Sequence, residues 1–119
     1  MPESLLRTKS KLFAVEIINA CRTMRNNKVE YPLVDQLLRC GTSIGANIHE
    51  AQFAQGTKDF ISKFEIALKE CNECEYWLDL LKSTNSIESS ECDFLLTNCN
   101  ELRKMLVSSV TTLKAKHKN

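Results

Sequence analysis

Apolar positions between Gln36 and Leu81 recur at steps of three and four residues. Leu37, Ile44, Ile48 and Ala51, with Gly41 between them, fall on one helix face. The stepping pauses at Gln55-Gly56-Thr57 and resumes at Phe60, Phe64, Ala67, Cys71, Cys74, Leu78 and Leu81. Two amphipathic helices joined by a short polar turn bury such seams against each other in antiparallel order. Gly41 and Gly45 stand four apart on a shared face. A glycine inside a helix costs roughly 1 kcal/mol relative to alanine. The offsetting gain expected here is a close approach by a neighbouring helix, with a ligand or nucleic-acid contact as the alternative.

The same rhythm extends to both ends of the chain. A first helix is predicted over 5–25, with Leu6, Phe13, Ile17, Ala20 and Met24 inward and Ile18 and Cys21 widening that face. Asn26-Asn27-Lys28 ends it, because asparagine favours turns over helix interiors. A second helix is predicted over 31–54; Pro32 suits its first turn, where a backbone N–H would lack a partner anyway. Gly56 is placed to close that helix in a left-handed conformation. Thr57 is the expected cap of a third helix over 57–82, and Asp59 sits in its first turn, where the positive dipole end favours a carboxylate. Ser83-Thr84-Asn85-Ser86 is the next turn. A fourth helix over 88–114 has its seam at Cys92, Leu95, Cys99, Leu102, Leu106 and Leu113, with Val110 alongside. Four helices and three short connections predict an all-α, antiparallel up-down-up-down four-helix bundle, a single domain spanning 1–119.

A chain of 119 residues is long enough to bury one core without metal or disulfide staples. No apolar run approaches the roughly 20 residues of a membrane span. The N-terminal stretch lacks the continuous apolar core of a secretory signal, so the expected location is the cytoplasm. Six cysteines lie on or beside the apolar seams, where a thiol packs as a small hydrophobe. Cys71-Asn72-Glu73-Cys74 has the C-x-x-C spacing, but it falls inside a helix with no second pair and no nearby histidine. Redox motifs open a helix, where the dipole lowers the thiol pKa. Reduced core cysteines are therefore expected, with no metal and no cofactor.

Net charge is +1, with a balance of +3 over the first thirty residues. A protein that grips nucleic acid by its phosphates shows a basic excess or stripe. The candidate basic groups are Arg7, Lys9, Lys11, Arg22, Arg25 and Lys28 on the first helix, and Lys114, Lys116 and Lys118 near the C-terminus. Neighbouring helices of a bundle can merge some of these into one patch; otherwise they are ordinary solvated faces. Catalytic signals are missing: no Gly-rich phosphate loop, paired-carboxylate motif or metal-ligand spacing occurs, and no enzymatic activity is expected. His49 reads as a helix-flank residue and His117 as part of a frayed basic tail. Asn47 and Glu50, one turn apart beside the core, are expected to hydrogen-bond adjacent helices or a neighbouring subunit. A buried polar group left unmet costs roughly 1–3 kcal/mol.

Several stretches together resemble one bacterial family. They are Asp35-Gln36-Leu37-Leu38-Arg39-Cys40-Gly41-Thr42-Ser43-Ile44-Gly45-Ala46-Asn47-Ile48-His49-Glu50, then Gly56-Thr57-Lys58-Asp59-Phe60, Ala67-Leu68 and Glu73-Cys74-Glu75. The similar family is that of the four-helix-bundle proteins encoded in intervening sequences of 23S rRNA genes, often labelled ribosomal proteins. A related branch comprises the accessory variability determinants of diversity-generating retroelements. The resemblance rests chiefly on Ser43, Ile44, Gly45, Asn47, Ile48 and Glu50. The family pattern usually continues Ala-Glu-Gly, whereas this chain has His49, Glu50 and Ala51. The resemblance implies a bundle that assembles as a ring, pentameric in the retroelement branch, where it binds nucleic acid and a reverse transcriptase. It implies no enzymatic activity. The expected function is thus an oligomeric scaffold or accessory protein for a macromolecular partner, with RNA, DNA or a reverse transcriptase as candidates. The alternative is an rRNA- or ribosome-associated nucleic-acid binder acting through basic helix faces. Phe53, Ile61, Tyr76, Trp77, Leu80 and Phe94, apolar residues off the main seams, favour assembly independently.

Overall fold

A computed structural model describes residues 2–118, with side chains described for 5–117. Four helices follow in order: α1 (Pro2–Asn26), α2 (Tyr31–Ala51), α3 (Thr57–Ser83) and α4 (Ser89–Lys118). Each packs on its sequence neighbours, and α4 closes the bundle against α1. The result is an antiparallel four-helix bundle forming a rod of 52 × 21 × 21 Å. No strand occurs among the described residues.

The seams read from the sequence form the core. Leu6, Phe13, Ile17, Ala20 and Met24 of α1 are buried, as are the α2, α3 and α4 seam residues, apart from the half-buried Phe60 and Leu113. Ile61, expected off the seams, is buried as well, and Trp77 packs against the core. Phe53, Tyr76 and Phe94 do lie exposed. The six cysteines are all buried and free of disulfides. Their thiols donate to carbonyls where geometry allows, as from Cys92 to Leu78 at 3.2 Å and from Cys99 to Cys71 at 3.5 Å.

The turns close in two different ways. At the end of α1, Lys28 adopts a left-handed conformation (φ 63°). Its N–H bonds the Arg25 carbonyl, and the Val29 N–H bonds that of Met24, both at 3.0 Å. Asn85 repeats the arrangement after α3, with φ 57° and bonds from Asn85 to Lys82 and from Ser86 to Leu81. These are Schellman closures made without glycine. The α2–α3 turn departs from expectation. The helix stops at Ala51 rather than near 54, and Gly56 (φ 105°) precedes α3 instead of closing α2. Thr57 is consequently the first residue of α3 and caps nothing. The Gln55 N–H bonds the Asp59 carboxylate at 3.1 Å, so Asp59 serves the start of the helix. The fourth helix runs on past 114 to Lys118, so His117 lies within it.

Candidate functional site

The two glycines of α2 set how closely α1 approaches. A Cβ at Gly41 would stand 2.8 Å from Ile17 Cγ2, a clash with the stem of a buried side chain. A Cβ at Gly45 would stand 3.3 Å from the Ser10 carbonyl oxygen, so here backbone lies against backbone. Ser10 is itself buried, its hydroxyl donating to the Arg7 carbonyl at 3.1 Å. A serine among charged neighbours gave no sequence signal for that role. Above this contact runs a groove of about 290 Å³ lined by Arg7, Ser10, Lys11 and Ala14 of α1 and Thr42, Gly45, Ala46 and His49 of α2. Gln52 ties its rim together: its carbonyl accepts from the Arg7 guanidinium, and its amide lies 3.0 Å from His49 Nδ1. His49 also meets Phe53 edge-on, with centroids 5.6 Å apart.

The remaining motif residues divide by direction. Ile44 and Ile48 are in the core. Asn47 is half-buried and turns back on its own helix, donating to the Ser43 carbonyl at 2.9 Å and the Ser43 hydroxyl at 3.1 Å. Glu50 is exposed. The pair therefore does not make the inter-helix hydrogen bonds that were expected, because both side chains leave α2 away from the interior.

That cross-helix role falls to residues whose place in the sequence pattern gave no sign of it. Arg39 of α2 reaches over to α3, bonding Glu70 at 3.0 Å and also Glu73. Trp77 Nε1 donates to the same Glu73 at 3.0 Å. The Trp77 and Arg39 hydrogen bonds hold the Glu73 carboxyl below the usual carboxylate range, and its hydrogen bond raises Arg39 further.

The nine basic candidates do not merge into one patch. Lys9 pairs with Glu101 at 2.6 Å, Lys114 with Glu65 at 2.7 Å, and Arg25 reaches Asp35 at 4.0 Å while stacking on Tyr31. Arg22 lies toward the far end of α1, about 22 Å along the axis from Arg7 and about 16 Å from Lys11 at 1.5 Å per residue, and Lys28 lies in the turn beyond that end. Lys116 is exposed on the last turns of α4, and the Lys118 side chain lies outside the described residues. Arg7 and Lys11 share a concave surface.

Elsewhere the interior holds buried thiols. Burial pushes the Cys21 thiol up to about 11 and raises Cys92. Hydrogen bonds among neighbouring thiols, with burial, raise Cys71 and Cys74 as well, and the same hydrogen bonds lower their shared partner Cys99. Among the described residues, no group of three or more His, Cys, Asp or Glu side chains is arranged to hold a metal ion. No helix there is long and apolar enough to cross a membrane.

A packed interior with polar features confined to its outer grooves defines an all-α four-helix-bundle protein in class. The chain belongs to the 23S rRNA-intervening sequence protein family, whose pattern matches residues 3–108. It is similar to the crystal structure of a protein of unknown function from the S23 ribosomal protein family of Bacteroides thetaiotaomicron, with a TM-score of 0.90 and 43% identity. That match covers 93% of this chain and 99% of the other. No curated protein matches the sequence.

Proposed function

We propose that the protein is a non-enzymatic cytoplasmic scaffold that self-associates and binds a macromolecular partner, a reverse transcriptase or RNA being the candidates its family resemblance suggests. The observation that carries this reading is the flank of α1 beside α4. There Leu5 and Leu12 are 50% and 58% exposed, and Phe94 on α4 is 54% exposed. Exposed apolar side chains grouped along one seam favour a protein interface over solvent. A second copy of the chain is the proposed occupant, in a ring with the pentameric form of the retroelement branch. Light scattering behind a sizing column tests it: the expected solution mass is five times the 13.6 kDa of one chain. Leu12→Glu should shift that mass toward the monomer. A monomeric wild-type protein would overturn the assembly.

A second reading, nucleic-acid binding through basic helix faces, is favoured by the grouping of Arg7 and Lys11 on one groove. Its test is salt dependence. Binding of RNA or DNA through phosphates releases counterions, so affinity should fall steeply as salt rises. Affinity insensitive to salt would rule this reading out.

A further inference from the structure

We infer that the groove between α1 and α2 at Gly45 is a binding site for a phosphate group. The argument begins with its floor. Gly45 brings the two backbones together, and Ala14 and Ala46 keep the walls short, so the hollow is preserved rather than filled. Its volume of about 290 Å³ equals roughly ten waters at their liquid share. That is room for a phosphate together with part of the group that carries it.

The rim supplies the chemistry. Arg7, Lys11 and His49 come from two helices and line the same hollow, and no carboxylate among the described residues lines it with them. Gln52 positions two of the three. With its carbonyl accepting from Arg7, its amide N–H donates to His49 Nδ1. That bond leaves His49 Nε2 as the ring's outward N–H donor. Lys11 brings an ammonium that has no ion-pair partner among the described residues. Lys9, two residues before it on α1, instead sits on Glu101 of α4. The Ser10 and Thr42 hydroxyls are spent on backbone carbonyls, at 3.1 Å and 2.8 Å. The groove thus gathers the Lys11 ammonium, the Arg7 guanidinium held by Gln52 and the outward His49 N–H around one concave space. A tetrahedral oxyanion with several acceptor oxygens fits such a set, and a cation does not.

The phosphate has two sources: the backbone of a nucleic-acid strand or a free phosphate ester. The first rests on the second reading above, whereas the second does not. The experiment uses the full-length protein with two probes, inorganic phosphate followed by 31P NMR line broadening and a fluorescein-labelled oligouridylate followed by anisotropy. Lys11→Gln and the pair Arg7→Gln/Lys11→Gln are compared with a charge-matched pair remote from the groove, Arg22→Gln/Lys28→Gln. Each charge-assisted hydrogen bond lost should weaken binding about tenfold. Loss of both probes in the groove variants, with the remote pair unchanged, supports the site with nucleic acid as its source. Loss of phosphate binding in those variants, where wild-type protein never binds the oligonucleotide, supports the site with a free phosphate ester and sinks nucleic-acid binding. Equal losses in the groove and remote pairs would show a diffuse field and overturn the site. So would failure of the wild-type protein to bind either probe. Lys11 is exposed, so its single variant stays informative if the double variant misfolds.

Discussion

Helix α1 faces two neighbours and meets them by opposite means. Against α2 it is fitted through missing side chains: Gly41 admits Ile17, and Gly45 admits the Ser10 backbone. Against α4 it is tied by long polar side chains, Lys9 to Glu101 at 2.6 Å and Asn98 to Glu16 at 3.0 Å, while Leu12 beside them stays mostly in water. Close approach of backbones leaves no slack, so the first contact is intolerant of added volume. Exposed charge pairs contribute little, so the second tolerates change. The difference explains how one helix can be both an anchor of the core and the edge of a surface open to a partner.

The largest expected effect lies at the fitted seam. Gly41→Ala gains helix propensity but drives Cβ into Ile17, and overpacking should win by about 2 kcal/mol in urea denaturation. Gly45→Ala presses on the Ser10 backbone at 3.3 Å, a smaller overlap than at Gly41, and should destabilise by less; a loss as large as that of Gly41→Ala would erase the distinction between the two glycines. The turn that joins α1 to α2 gives the next effect, of opposite sign. Lys28 holds a left-handed φ that costs a side chain roughly 1 kcal/mol, so Lys28→Gly should raise the denaturation midpoint by about that amount.

A pH profile then asks whether charge can matter where it is also hydrogen-bonded, across α2 and α3. The folded Glu73 carboxyl lies below its unfolded range, so its stabilisation is present at neutral pH. It is lost as pH falls through that lowered value. Glu73→Gln should flatten the acid limb of stability against pH, and an unchanged limb would remove Glu73 from the account. Smallest of all is Lys9→Met/Glu101→Leu at the tied seam, expected to move stability by no more than about 0.5 kcal/mol. A loss as large as that at Gly41 would contradict the contrast between the two seams.

The four-three spacing made the bundle and nearly all of its core legible, because burial of a seam leaves its period in the sequence. Features set by one residue's backbone were less so. Gln52, Phe53 and Ala54 suit a helix by type, yet α2 ends at Ala51 and the Ala54 N–H turns back to the Ala51 carbonyl. Ser10 reads as surface and is buried, since a hydroxyl bonded to its own helix costs little inside. The α1–α2 groove was not legible at all. Arg7 and Lys11 meet His49 only after two helices are set side by side, and no spacing within either one announces that meeting.

The polar ties to α4 also bear on how the chain finds this arrangement. Lys9 and Glu101 are 92 residues apart, and Glu16 and Asn98 are 82 apart, whereas Arg39 and Glu70 are separated by 31. Loop closure costs entropy that grows with the logarithm of the span, so helices joined by short turns pair sooner than the first and last. The α1–α4 contact is then the final one to form and the first to open. In hydrogen exchange, the α4 amides should come free of protection before those of α2, as one cooperative unit swinging from the turn at Asn85.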